Sequence, residues 1–195
     1  MRPSPEDLLH VTTRREWRAW LETNYRSRAD VWLVFHRAAT GKARISYNDA
    51  VEEALCFGWI DSTARHIDEE RFAQRFSPRR KNSPYSQMNI ERLRELVARR
   101  RVKPAVLAQL PDLSVEAFTY PDDILRAIRK DRDAWRNYQN LPARYRRIRV
   151  AYIEGARKRP AEFDKRLQNF IRRTAKGERF GFGGIGAYFD DPPDG

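Results

Sequence analysis

Cysteine is almost absent. Cys56 is the only one in 195 residues, so no disulfide can form within the chain, and a reducing compartment suits it. Histidine is nearly as scarce. His10, His36 and His66 are spread without the spacing of a metal site, and no metal or cofactor is expected. No apolar run approaches the ~18 residues of a membrane span. The opening MRPSPEDLLH has no apolar h-region, so the chain is expected to be cytoplasmic. The glycines FGFGG near the end do not lie between a strand and a helix, which speaks against a phosphate-binding loop. No catalytic triad can be read, and the catalytic residues, if any, are unassigned.

Charge and rings are abundant instead. Five Trp, eight Tyr and ten Phe supply the area for a real core. The net charge of +12 is unevenly placed. Residues 1–78 balance 12 basic against 12 acidic side chains, while 79–110 carry 9 against 2 and 144–179 carry 13 against 4. The two basic blocks could attract phosphates or anionic surfaces. Because 32 of the 39 basic residues are Arg, the simpler reading is a solvated Arg-rich surface. Block 144–179 is read as the outer face of two helices, its apolar residues keeping separate stripes.

Periodicity predicts an α+β fold. Thr13 and Glu16 form a capping box for a helix bearing Trp17, Trp20 and Leu21. VWLVFHR at 31–37 reads as a strand. Ser46 and Asp49 cap a helix striped with Ala50, Val51, Ala54 and Leu55, and Gly58 stops it. Residues 59–65 and 71–76 read as a hairpin turning at Asp68–Glu70. The expectation is a small, mostly antiparallel three-stranded sheet with N-terminal helices, followed by a helical C-terminal portion. The limits are 1–110 for the α+β core and 111–179 for the helical part. A tail at 180–195 is too glycine-rich for regular structure, and its aromatics are expected against the body. Pro104, Pro121, Pro142 and Pro160 each introduce a helical pattern.

The chemistry-bearing side chains gather between Tyr47 and Asn89. Trp59 and Asp61 share one strand face, with Arg75 expected to approach Asp61 across the hairpin. Arg79, Ser83, Tyr85, Ser86 and Asn89 follow in a basic turn leading into a helix. An Asp–Arg pair more often fixes a loop, and Ser83, Ser86 and Asn89 are most simply turn and cap residues. The functional reading is that the two guanidiniums, the hydroxyls and a helix N-terminus bind an anion. Cys56, inside an apolar stripe, is more simply a packing residue than a nucleophile served by His66.

At YNDAVEEALCFGWID (Tyr47–Asp61), RFSPR (Arg75–Arg79) and SPYSQMN (Ser83–Asn89), the chain resembles the YdeI/OmpD-associated family, also called bacteriocin-protection proteins. The resemblance spans about 13–110, and YRRIRVAYIEGARKRP looks like the family's helical C-terminal part. The family usually has Trp where this chain has Tyr85. Stacking survives that change; a role for an indole N–H does not. The resemblance implies a link to resistance against bacteriocins and cationic antimicrobial peptides, without a chemistry. The function expected is binding of an anionic small molecule or a protein partner through the basic turn. The alternatives are an enzyme built on Asp61, Arg75 and Ser86, or a nucleic-acid-binding protein using the basic blocks with Tyr85 and Trp59 as stacking rings.

Overall fold

The computed structural model describes residues 7–181. It divides into two units. One runs through Pro84 and includes Arg92–Pro111; the other joins Tyr85–Glu91 to the residues from Asp112 on.

In the first unit, α1 (Arg14–Asn24) starts at the anticipated capping box. The Thr13 side chain accepts from Glu16 N, and the Glu16 carboxylate accepts from Thr13 N at 3.1 Å. Two orphan amides of the first turn are thereby satisfied. Strand β2 (Val31–His36) is buried almost throughout. Its continuous apolar run is that of a strand covered on both faces. Helix α2 (Tyr47–Cys56) is capped by Ser46, whose hydroxyl accepts from Asp49 N at 3.0 Å. Gly58 ends it at φ +73°, a conformation glycine adopts without cost. Strands β3 (Trp59–His66) and β4 (Arg71–Pro78) form the expected hairpin.

The sheet has four strands, not three. Leu8–Leu9 form β1, parallel to β2, and the order is β1-β2-β4-β3. Strand β4 is therefore central, antiparallel to both β2 and β3. Trp17, Leu21, Leu33, Phe35, Trp59 and Phe76 are fully enclosed. Burying each such side chain contributes about 1.5–3 kcal/mol. On the other sheet face Trp32, Val34 and Ala73 make a smaller cluster with Leu8 and Ile67. Beyond β4, α3 (Gln87–Ala98) gives its first five residues to the second unit and the rest to the first, which also holds the short α4 (Pro104–Leu107).

The second unit is helical: α5 (Asp122–Arg129), α6 (Arg132–Gln139), α7 (Ala143–Glu154) and α8 (Pro160–Ala175). Pro104 and Pro160 open their helices, whereas Pro121 and Pro142 sit at the cap, one residue earlier. The core gathers Ile124, Ile128, Tyr138, Tyr145, Ile148, Leu167 and Phe170. Asn137 Nδ2 donates to the carbonyls of Thr174 and Ala175, closing the end of α8. Phe180 lies 6.2 Å from Phe170, centroid to centroid, and the tail from 182 lies outside the described residues. Among the described residues, no helix is long and apolar enough to cross a membrane.

The basic block at 144–179 is not simply a solvated surface. Arg147 and Arg149 on α7 are each only 6% exposed, while the apolar-stripe residue Tyr152 is 46% exposed. Arg147 forms a buried two-point pair with Glu91, 2.6 and 2.9 Å. That acid comes from α3, far away in sequence, so no helical stripe could announce it.

Candidate functional site

The first unit spends the charges of its motif on itself. Glu53 on α2 is fully buried and accepts from three guanidiniums: Arg14 at 2.5 Å, Arg18 at 2.7 Å and Arg101 at 2.7 Å. Its neighbour Glu52 meets Arg14 at 2.8 Å, yet burial, only partly offset by that arginine, raises its carboxyl above the usual range. Burial also pushes the Cys56 thiol up to about 11, so it rests protonated as a packing residue. Tyr47 donates to Asp61 at 2.7 Å, and burial with that bond raises the phenol. These are positions the motif made visible but whose partners it did not name.

The expected Asp61–Arg75 pair does not form. In the β3–β4 register Asp61 lies opposite Phe76, so alternation sends Arg75 to the other face of the sheet. There it pairs with Asp30 just ahead of β2, with Nε 2.9 Å from the carboxylate. Trp59 is 1% exposed and donates its indole N–H to Tyr25 O at 3.1 Å, as a core residue does. Arg79 closes the basic turn on itself, donating to the carbonyls of Ser83 and Pro84 at 2.7 and 2.6 Å. Ser83 is exposed in that turn.

The remaining three residues belong to the second unit. Ser86 Oγ accepts from Asn89 N at 3.3 Å in the manner of a helix cap, and Asn89 is 8% exposed. Tyr85 and Ser86 also line a groove of about 1270 Å³, formed with α7, α8 and the start of the tail. Its walls are largely apolar: Met88, Ile148, Ala151 and the rings of Tyr85, Tyr152 and Phe180. Four cations border it, Arg149, Lys165, Arg166 and Arg172, against one carboxylate, Glu162.

Arg149 is the unusual member. It is 6% exposed and makes no ion pair or hydrogen bond among the described residues, and its Nε is enclosed without an acceptor. Rings pack on it instead, Phe180 at 4.2 Å and Tyr152 at 5.1 Å from the guanidinium carbon. Burial pulls it below the ordinary arginine range. A guanidinium removed from water normally finds an acid, as Arg147 does two residues earlier. Nothing in the sequence separates these two arginines; what does is that Arg149 has no acid among the described residues. An apolar groove converging on an uncompensated cation is chemically suited to hold an anion. Among the described residues no cluster of His, Cys, Asp or Glu is placed to hold a metal ion.

Comparison with known proteins divides the chain near the same place. No curated protein and no solved structure matches. Residues 117–177 match the family model described as bacteriocin-protection, YdeI or OmpD-associated, so that likeness is carried by the closing helices rather than by 13–110. Residues 9–109, which hold the sheet and most of the quoted motifs, match the model described as a domain of unknown function, DUF8412. Since that match spans more than half its length, the chain belongs to the DUF8412 family, and it carries a bacteriocin-protection, YdeI or OmpD-associated segment behind it.

Proposed function

We propose that this chain is a binding protein in a bacteriocin-protection-associated setting, and that its ligand is an anion taken by the groove of the second unit rather than by the basic turn. The observation that carries this reading is Arg149, buried against aromatic rings with no acid among the described residues. Tyr85 and Ser86 are on the groove wall, so part of the sequence-derived candidate set stays in the reading. Arg75 and Arg79 leave it, because both guanidiniums are engaged within the first unit.

Enzymatic use of Asp61, Arg75 and Ser86 has lost its geometric support, since Asp61 and Arg75 occupy opposite sheet faces. Nucleic-acid binding by block 144–179 is weakened as well. Arg147, Arg157, Arg166 and Arg173 there already meet carboxylates.

The test is a thermal-shift screen of carboxylates and phosphates at constant ionic strength, on wild type and on Arg149→Met. Each charge-assisted hydrogen bond contributes roughly 1.5–3 kcal/mol, so the variant should bind a hit about tenfold more weakly or worse. A hit that stabilises both proteins equally places the site elsewhere. Failure of every anion to stabilise wild type overturns the reading.

A further inference from the structure

Two cations of the groove, Arg149 and Arg166, belong to a ladder of guanidiniums alternating with rings that Arg173, outside the groove wall, extends. Arg173 lies 4.0 Å from the Phe180 centroid, and Arg149 lies 4.2 Å from the same ring. Arg149 is also 5.1 Å from Tyr152, and Arg166 is 3.9 Å from Tyr152. The order is therefore Arg173, Phe180, Arg149, Tyr152, Arg166. The outer guanidiniums have acids of their own: Arg173 Nε meets Glu178 at 2.6 Å, and Arg166 Nε meets Glu162 at 2.7 Å. The middle one, the most deeply buried, has none among the described residues.

We propose that the acid missing from the middle rung is the carboxylate of an organic ligand whose aromatic or extended apolar body lies along the groove. This rests on the binding reading above and specifies its ligand. Two lines of chemistry select the class. The head must be compact and carry about one negative charge, because Arg149 is the one buried guanidinium of the groove without an acid among the described residues. Rings pack on that guanidinium, and a flat carboxylate is the head best suited to a planar two-point contact with a guanidinium's N–H groups. The body must be apolar. Met88, Ile148 and Ala151 offer no partner for further charge, and about 1270 Å³ is far more than an inorganic anion fills. Lys165 and Arg172 are exposed, so they help draw the ligand in rather than hold it.

The experiment is isothermal titration of the whole chain with four probes: naphthalene carboxylate, naphthalene carboxamide, acetate and inorganic phosphate. Expected is saturable one-to-one binding of the carboxylate, at least tenfold weaker binding of the carboxamide, and no detectable heat from acetate or phosphate. Arg149→Met should lose at least tenfold in affinity for the carboxylate. Arg149→Lys, which keeps the charge and guards against misfolding of the first variant, should lose affinity too because the fork is gone. Equal binding of the carboxamide overturns the charged head. Phosphate or acetate binding as well as naphthalene carboxylate overturns the apolar body yet leaves anion binding standing. Full binding by both Arg149 variants, or no response to any anion in the wider screen, removes the binding reading with it.

Discussion

Replacing Glu53 with Gln tests whether the first unit is held by a carboxylate that no solvent reaches. Glu53 has zero exposure and three guanidinium donors within 2.7 Å. Gln matches its size but carries no charge. One of its two polar atoms becomes an amide NH₂ that faces donors. Breaking a buried pair by removing one partner costs about 3–5 kcal/mol. Here the guanidiniums of Arg14, Arg18 and Arg101 are 32%, 25% and 41% exposed, so water recovers part of their solvation. The net expectation is roughly 2–4 kcal/mol. Glu52→Gln is the internal control. Burial already disfavours the Glu52 carboxylate, so neutralising it should cost less than about 1 kcal/mol. Urea unfolding followed by tryptophan fluorescence reads the difference, since Trp17, Trp20, Trp32 and Trp59 all lie in the first unit. If Glu53→Gln unfolds like wild type, or if the two variants lose the same amount, the central role given to Glu53 is wrong.

Gly58→Ala should cost about 1–2 kcal/mol in the same assay, because φ is +73° and an added Cβ would sit 3.3 Å from Val106 Cγ2; an unchanged midpoint would refute it. Glu16 is held below its usual value by hydrogen bonds from the Thr12 and Thr13 amides. Its cap therefore contributes above the unfolded carboxylate pKa of ~4.3 and is lost as pH falls through the lower folded value. The stability difference between wild type and Glu16→Gln should accordingly vanish in strong acid; a difference independent of pH would contradict the cap. Tyr145→Phe should weaken binding of naphthalene carboxylate several-fold with little loss of helix content. The phenol accepts from Phe180 N and donates to Phe180 O, both at 2.8 Å, and so pins a ring of the ladder; titration and circular dichroism together check this.

Local signals were legible where one residue decides one piece of backbone. Thr13, Ser46 and Gly58 declared their caps and stop, and the strands at 31, 59 and 71 began where expected. A two-residue strand such as Leu8–Leu9 has no period to read, so the fourth strand was missed. Pairing was harder. Arg75 finds Asp30 because β4 lies between β2 and β3, and strand order is not written in alternation. The distinction within α7 was beyond reach for the same reason. Tyr145, Ile148 and Tyr152 do mark helical spacing, but the acid that neutralises Arg147 comes from Glu91, and the lack of one beside Arg149 among the described residues exists only in three dimensions.

Composition alone misplaces the functional charge. A net charge of +12 invites attention to the densest basic runs, and the turn at Arg79–Lys81 is the densest near the motifs. Yet Arg79 is occupied by carbonyls of its own turn, and an exposed cation in water gains little from any ligand. What matters is a cation that has already given up its water. At Glu53 that loss is offset by an acid meeting three guanidiniums, and at Arg147 by Glu91. At Arg149 it is offset only in part among the described residues, since cation–π contacts supply about 0.5–2 kcal/mol each while desolvation costs several. A methionine there would fill the same space without the penalty, so Arg149→Met in the absence of ligand should melt no lower than wild type. A marked loss of stability would mean that ring stacking alone justifies the arginine, and that the groove needs no anion to explain it.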